Sequence, residues 1–201
     1  IGLYNSSISI GFAVGPLLVA IFGTQGLLPI FICLLLMLIR IPALKIIKGH
    51  INNVKIPEQV KKINFSFLKV APFIFMAIFI GGINDSSFGA LFPAFMINEL
   101  FSDRSIGLYF FIGAFGGVIF QPLIGALSDK IDKRKFLFSL LICHIIWPLL
   151  LSNFISVTII IILSVIIWGF ASVSIYTVAL AYLGERVSIK EISIATSLFI
   201  I

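Results

Sequence analysis

Long apolar runs are the feature of this sequence that most limits its fold. A helix that spans a bilayer needs about 20 mostly apolar residues, and six runs approach or exceed that length before a seventh begins near Ile192. The six runs are Leu3–Phe22, Leu27–Leu44, Val70–Asn98, Ile106–Leu127, Phe136–Leu151 and Phe154–Leu183. Each run is continuously apolar rather than alternating, which favours helices over the strands of a barrel. We therefore expect an all-α polytopic membrane protein with about six complete transmembrane helices and the start of a seventh.

The composition indicates that lipid is the solvent for most of the chain. Of the 201 residues, 60% are hydrophobic and 11% are charged, whereas soluble domains have about 45–50% apolar and about 25% charged residues. The mean hydropathy is +1.21. A soluble fold would have too few polar side chains to cover this apolar surface, so we expect the lipid bilayer to be a partner of the protein.

The positive charges fall on one side when the runs are numbered in order. All but one of the 14 Lys and Arg residues lie in links on that side: Arg40, Lys45, Lys48, Lys55, Lys61, Lys62, Lys69, Lys130, Lys133, Arg134, Lys135, Arg186 and Lys190. The opposite side holds only Arg104, beside Glu99 and Asp103. Because cytoplasmic loops carry the Lys/Arg excess, we expect the connector Lys45–Lys69 and the loop Asp129–Lys135 to be cytoplasmic. Orientation thus explains the net charge of +6, and no basic face with readout residues indicates a nucleic-acid partner.

Small residues recur every four positions in two of the runs. The first run carries Gly11 and Gly15, with Pro16 beside Gly15, and the fourth carries Gly113, Gly117 and Gly125 with Gln121 between them. Such stripes let helix backbones approach closely in lipid, although glycine is also simply frequent in membrane helices. We expect close packing on both faces, with Gln121 donating a hydrogen bond across its interface.

A charged stretch between the fourth and fifth runs carries a recognisable motif. Its sequence, GALSDKIDKRKF, resembles the cytoplasmic signature G-x-L-[AS]-D-[RK]-x-G-[RK]-[RK] of major facilitator superfamily transporters. The matching residues are Gly125, Leu127, Ser128, Asp129, Lys130, Lys133 and Arg134. Asp132 stands where the family usually has Gly. The resemblance implies a conformational latch, in which Asp129 acts as an anion at a neighbouring helix N-terminus, here near Asn5 to Ser7.

The resemblance extends over the whole chain and implies its organisation. The stretch GFAVGPLLVA, beginning at Gly11, is similar to a helix-5 motif of the family, and the link Lys45–Lys69 resembles the central loop of the twelve-helix fold. Residues 1–44 would then be the last two helices of the N-terminal half, 45–69 the cytoplasmic central connector, and 70–201 helices 7–10 with the start of helix 11. The family's helices 5 and 8 pack against each other, which would explain the two glycine stripes. The remaining helices of the full-length transporter are expected partners.

Asp85 is the clearest candidate for a functional residue. It lies about fifteen residues into the third run, roughly 22 Å deep at about 1.5 Å per residue, where a charge costs at least about 2.5–3.5 kcal/mol. We expect Asp85, with Asn84 beside it, to line a cavity and to bind a cation or carry a proton. The alternative is an outward-shifted segment in which Asp85 caps a helix break. The sixth run carries a polar patch opposite which Asp85 could lie, formed by Ser172, Ser174, Tyr176 and Thr177. From it Tyr176 and Thr177 are candidates for the same pathway; alternatively, the hydroxyls are bonded to their own helix.

A histidine and two cysteines could have chemical roles, but packing is the favoured interpretation for them. His144 has the chemistry of a proton relay, but the family's helix 9 is peripheral, and a packing histidine near Trp147 is the favoured interpretation. Cys33 and Cys143 have no CxxC or His spacing around them. We expect neither a metal site nor a cofactor.

The function that follows is transmembrane transport of a small solute by alternating access. The resemblance implies a proton-coupled secondary transporter, drug-efflux-like or for a metabolite, in a bacterial inner membrane. The alternative is a non-transporting remnant with a structural role only. An enzyme is not expected, because no catalytic cluster shares one depth in the membrane.

Overall fold

Six helices and no strand occupy the part of the chain that the structure describes. The computed structural model describes the backbone of residues 2–24, 26–51 and 72–186, and leaves the side chains of residues 2–9, 29, 39–40 and 43–51 undescribed. The helices are α1 (Gly2–Phe22), α2 (Leu28–Ile51), α3 (Pro72–Asn98), α4 (Asp103–Ser128), α5 (Lys133–Asn153) and α6 (Thr158–Arg186). Each of the first six apolar runs is therefore a helix, which confirms the predicted fold class. The run near Ile192 and most of the connector lie outside the described residues.

The membrane character of these helices is clear from their length and composition. Four of the described helices, α3 to α6, are long and apolar enough to cross a membrane, and the Ile10–Phe22 part of α1 is a shorter apolar stretch. Many of their large apolar side chains, Phe79 and Leu91 among them, are exposed because no other residue of the described chain covers them. A helix that is apolar on all its faces is typical of a membrane span.

Helices α4 and α5 are longer at both ends than the apolar runs that predicted them, because polar residues complete their ends. Ser102 caps α4 by accepting a hydrogen bond from the N–H of Ser105 at 3.3 Å, so this helix begins before Ile106. Asp132 caps α5 in the same manner. Helix α2 continues to Ile51, seven residues beyond Leu44, since no proline interrupts this stretch after Pro42.

The helices run antiparallel to their sequence neighbours, which gives the bundle two distinct ends. The basic end contains Lys133 and Arg134 at the start of α5 and Arg186 at the close of α6. The turn end contains the short links 23–27, 99–102 and 154–157. In the second of these links, the N–H of Phe101 donates to the Met96 carbonyl and that of Leu100 to the Ile97 carbonyl. Leu100 has a φ of 64° at the position of this Schellman turn that glycine usually occupies.

Among the described glycines, those with the closest backbone approach lie between α4 and α6. A Cβ on Gly117 would lie 2.7 Å from the carbonyl oxygen of Gly169, and one on Gly113 would lie 2.9 Å from the carbonyl oxygen of Val165. A Cβ on Gly169 would overlap the carbonyl oxygen of Gly113. These three positions therefore need glycine, because any side chain would force the two backbones apart.

The partner of the glycine stripe differs from the one that the family resemblance implied. The stripe residues Gly113 and Gly117 face α6 rather than α1, while a Cβ on Gly125 would meet no atom within 4 Å. Helix α1 does pack along α4, but through Gly107, whose Cβ would lie 2.8 Å from the Pro16 carbonyl oxygen and the Ala20 nitrogen.

The first-run glycines also take no part in this contact. Gly11 and Gly15 are exposed, and a Cβ on either would meet open space. Pro16, the third residue predicted for helix packing in this run, contributes its carbonyl oxygen to the contact with Gly107. Among these three, it is therefore the proline that supplies the contact with α4.

Two apolar clusters hold α3 to α6 together at different depths. The cluster nearer the basic end consists of Ile74, Ile124, Phe136, Leu137, Leu140, Ile175, Val178, Ala179 and Leu183. The cluster nearer the turn end consists of Phe88, Phe92, Met96, Ile106, Trp147, Leu151, Ile161, Val165 and Trp168. Phe88 is fully buried and stacks on Trp168 with the ring centroids 3.6 Å apart. On α3, α5 and α6, the residues that separate the members of the two clusters are 75–87, 141–146 and 169–174.

Replacing Gly117 with alanine tests the close approach of α4 and α6. Gly117→Ala should lower the stability of the purified protein by about 1–3 kcal/mol, because its methyl group collides with the Gly169 carbonyl and with Val173. Thermal unfolding in detergent measures the change. The matched control is Gly116→Ala, whose Cβ would lie an ordinary 3.5 Å from Ile166. Equal stability of the two variants would contradict the assigned packing.

Candidate functional site

A layer of polar side chains lies between the two apolar clusters. On α3 the layer holds Asn84 and Asp85, on α5 it holds His144, and on α6 it holds Ser172. Each of these residues falls between members of the two clusters on its own helix. Four polar side chains therefore meet at one depth of the bundle, about midway along the helices that carry them.

Asp85 occupies the middle of a continuous helix. Helix α3 runs without a break from Pro72 to Asn98, so the alternative in which Asp85 caps a helix break finds no break here. The hydroxyl of Ser172 donates a hydrogen bond to Oδ1 of Asp85. The indole N–H of Trp168 also points towards this carboxylate, although it makes no hydrogen bond of normal geometry with the described residues.

Two cavities meet at Asp85. The smaller has a volume of about 450 Å³ and the larger of about 760 Å³, and both are lined by Asp85, Ser86 and Ser172. Phe12 of α1 and Trp168 of α6 add aromatic surface to the smaller cavity. Volumes of roughly 300–1,000 Å³ are typical of small-molecule sites. Among the described lining residues of both cavities, Asp85 is the sole charged side chain.

His144 lies behind Asp85 and joins the same hydrogen-bond chain. Its side chain is 4% exposed, and its Nε2 lies 3.4 Å from the Oγ of Ser172. The ring also lies near the carbonyl of Leu140 on the preceding turn, and its Nδ1 makes no hydrogen bond of normal geometry with the described residues. The sequence favoured a packing role for His144. In the structure His144 also has a polar contact with Ser172, the residue that binds Asp85.

Asn84 faces α5 rather than the cavities. Its Oδ1 accepts a hydrogen bond of 3.1 Å from the indole N–H of Trp147, and its Nδ2 donates to the backbone carbonyl of His144 at 3.4 Å. Asn84 was predicted as part of the substrate or proton pathway. In the structure Asn84 instead links α3 by two hydrogen bonds to the part of α5 that carries His144.

The two candidates on α6 are separated by the structure. Tyr176 lines the larger cavity together with Asp85. Thr177 is buried and accepts a 2.8 Å hydrogen bond from Nε2 of Gln121, while its own hydroxyl donates to the Val173 carbonyl. Gln121 therefore donates across a helix interface as expected, but the interface is with α6. Its Oε1 is buried without a partner among the described residues.

The residues of the charged motif lie at the basic end of the bundle. Asp129 is the C-cap residue of α4 and is exposed. Its expected contact near Asn5 to Ser7 falls on side chains outside the described residues. The guanidinium of Arg134 lies 5.8 Å from the ring centroid of Phe73, and Lys130 is exposed beside Asp129.

Two motif residues have contacts that the sequence did not indicate. Lys133 forms an ion pair with Glu185 of α6, with Nζ and Oε1 2.6 Å apart. Asp132 accepts hydrogen bonds from the backbone N–H groups of Arg134 at 2.9 Å and Lys135 at 3.1 Å. The N–H of Lys135, followed by that of Arg134, holds the pKa of the Asp132 carboxyl below its ordinary value. The residue in the family's glycine position is thus the N-cap of α5.

Ser172 belongs to the polar patch of the sixth run but was not among the candidates chosen from it. Tyr176 and Thr177 were chosen, whereas Ser172 is the residue that binds Asp85. Four residues separate Ser172 from Tyr176, and both contribute to the larger cavity.

Comparison with known proteins identifies the family. The family model of the Major Facilitator Superfamily matches residues 1–201 of the chain. No curated protein and no solved structure matches the chain significantly. The match covers the whole sequence and agrees with the all-helical bundle.

Replacing the cap residue of α5 tests the role of Asp132. Asp132→Ala should lower the thermal stability at pH 7, because two backbone N–H groups lose their acceptor, whereas Asp132→Asn keeps the acceptor oxygen. A lowered native pKa means that the stabilising effect of Asp132 is present above its unfolded pKa of about 3.9 and is lost as the pH falls through the native value.

The pH dependence separates the charge from the hydrogen bonds. The stability difference between the wild-type protein and Asp132→Asn should therefore shrink in acid below the native pKa of Asp132. Thermal unfolding from pH 7 to pH 3 measures it. A wild-type protein and an Ala variant of equal stability at pH 7 would contradict the cap.

Proposed function

We propose that this chain, which belongs to the Major Facilitator Superfamily, carries part of the solute pathway of a proton-coupled secondary transporter. Members of this family are transporters rather than enzymes, and the chain is an integral membrane protein. The observation that carries the finer proposal is the single carboxylate of Asp85 at the meeting point of two cavities. Placing a charge at this depth costs desolvation free energy, and a functional role for the carboxylate explains why that cost is kept.

Alternating access is supported by which helices surround the smaller cavity. On the proposed division of the chain, α1 belongs to one half of the transporter and α3 to α6 to the other. Phe12 of α1 and Asp85 of α3 line the same cavity, so that cavity lies between the two halves. Rocking of the halves about such a site is the general mechanism of secondary transporters.

The lining of the smaller cavity favours a solute that is both apolar and cationic. Apart from Asp85 its polar lining consists of Ser86 and Ser172, while Phe12 and Trp168 present aromatic rings. Aromatic faces attract cations by about 0.5–2 kcal/mol, and a carboxylate supplies the opposite charge. When Asp85 is protonated this attraction is removed, so proton binding and cation binding compete at one group.

Asp85→Asn tests the role of the carboxylate. The variant in full-length protein reconstituted in liposomes should bind tetraphenylphosphonium at least about tenfold more weakly at pH 8, which is about 1.4 kcal/mol. Its solute uptake should also lose its dependence on pH. Radioligand binding and uptake over pH 5–8 measure both effects.

The matched control for this variant is Glu99→Gln, an acid-to-amide change in the link between α3 and α4. It should leave the binding and the pH profile unchanged, because Glu99 is remote from both cavities. Unaltered pH-dependent uptake in Asp85→Asn would exclude the proton-carrying role.

We also propose that the basic end of the bundle faces the cytoplasm of a bacterial inner membrane. The described Lys and Arg side chains other than Arg104 lie at this end, among them Lys130 and Arg186. This would place the connector Lys45–Lys69 and the loop Asp129–Lys135 in the cytoplasm.

A cysteine introduced at Lys130 tests this orientation. After Cys33 and Cys143 are replaced by alanine, Lys130→Cys should react with a membrane-impermeant maleimide in inside-out vesicles and stay unreactive in intact cells. Arg104→Cys should show the reverse pattern. Labelling of Lys130→Cys in intact cells would overturn the orientation.

A further inference from the structure

We propose that Asp85 and His144 form a proton-sharing pair bridged by the hydroxyl of Ser172. The inference rests on the proposed function, in which Asp85 carries the coupling proton. It assigns His144 as a second proton-holding residue and Ser172 as the group through which the two exchange. The observations that carry it are a continuous hydrogen-bond chain across three helices and the separation of its far end from the cavities.

The direction of the hydrogen bonds fits a proton path. The Ser172 hydroxyl has one proton, which it donates to Oδ1 of Asp85. Its oxygen is therefore free to accept from the Nε2–H of His144, 3.4 Å away. The chain thus runs from imidazole to hydroxyl to carboxylate, with every proton pointing towards Asp85.

The transfer balances without any further reactant. The Nε2–H bond of an imidazolium breaks as that proton bonds to the Oγ of Ser172, and the original hydroxyl proton bonds to Oδ1 of Asp85. An ion pair of His144 and Asp85 thereby becomes a neutral imidazole and a carboxylic acid, with the net charge unchanged. In the imidazolium form Nδ1 also carries a proton, and the Leu140 carbonyl near the ring can accept it.

The surroundings leave these two groups as the titrating pair. Asp85 is the sole charged residue of α3, and on α5 the cations Lys133, Arg134 and Lys135 all lie in the first turn. Near the layer, the other titratable side chains on the packed helices are Cys143 on α5 and Tyr176 on α6. The charged residues of α6, Glu185 and Arg186, occupy its last turn, remote from Ser172.

The position of His144 gives the pair a consequence for transport. Asp85 faces the cavities, whereas His144 is buried between α3, α5 and α6 and lines neither of them. A proton displaced from Asp85 by a cationic solute can therefore be held on His144 within the same bundle. When the solute leaves, the proton returns along the chain.

Infrared difference spectroscopy of full-length protein in liposomes tests the pair without requiring transport. Comparison with Asp85→Asn identifies the carboxylic acid band of Asp85. In the wild-type protein this band should titrate in two steps, because two coupled groups share the protons. In His144→Gln, whose amide can still donate to Ser172 but cannot titrate, one of the two steps should be lost. The pH profile of uptake should lose the same step.

Substitutions at the bridge give an independent test if His144→Gln reduces the folded yield. Ser172→Ala removes the bridging hydroxyl without changing α5 and should weaken the coupling between the steps, whereas Ser172→Thr keeps the hydroxyl and should retain it. A band that titrates identically in the wild type, His144→Gln and Ser172→Ala would overturn the pair.

The outcomes also separate this inference from the proposed function. Two-step titration that His144→Gln reduces to one step, in a protein without uptake activity, would support the pair and contradict the transport proposal. If uptake depends on Asp85 but the Asp85 band titrates identically in the wild type and in His144→Gln, the pair alone would be contradicted. If the role of His144 were purely structural, His144→Gln would change the stability of the protein but not the number of steps in which the Asp85 band titrates.

Discussion

The close contact between α4 and α6 is the constraint on which the polar layer depends. Gly169 lies against the backbone of α4 at Gly113 and Gly117, which fixes the rotation of α6 about its own axis. Because residues three positions apart on a helix project about 60° from each other, Ser172 is then turned towards α3 and α5. A bulkier side chain at Gly169 would displace α6 and with it the hydroxyl that binds Asp85. The glycine contact and the candidate site are therefore parts of one arrangement.

The two apolar clusters determine where polar groups can meet. Lipid supplies no driving force for burying one apolar face against another, so packing and hydrogen bonds hold membrane helices together. The stacked rings of Phe88 and Trp168 fill one side of the layer, and Leu140 with Ile175 fills the other. Between them the carboxylate of Asp85 accepts a hydrogen bond from Ser172 while it faces the two cavities. Asn84 fixes the register of α3 and α5 by bonding to both Trp147 and the backbone of α5.

Much of the fold could be predicted from the sequence, because apolar length alone identifies a membrane helix. The runs Val70–Asn98 and Phe154–Leu183 fall within a few residues of α3 and α6. The partner of the stripe that contains Gly117 could not be predicted in the same way. A stripe shows which face of a helix packs closely, but Gly169 and the distant Gly184 on α6 form no repeating pattern that would mark α6 as the partner.

The candidate site was predictable at Asp85 and not at His144, and the difference is physical. An isolated carboxylate in an apolar run signals a function through its own cost of burial. A histidine can be neutral, so its burial carries no comparable signal. Its role follows from contact with Ser172 on another helix, which depends on the relative heights of α5 and α6. Those heights are in turn fixed by features spread along the chain, such as the ion pair between Lys133 and Glu185.

The geometry of the hydrogen-bond chain also makes it responsive to helix movement. The contact between His144 and Ser172 is 3.4 Å, close to the limit beyond which a hydrogen bond no longer forms. Helix α6 is held to α4 by backbone contact at Gly169, whereas Asp85 and His144 belong to α3 and α5. A shift of the α4–α6 pair against α3 and α5 by even about 0.5 Å would open the chain at this longest link. Proton exchange across the layer would then occur in one arrangement of the bundle and not in another, which is the condition that a coupled transporter must meet.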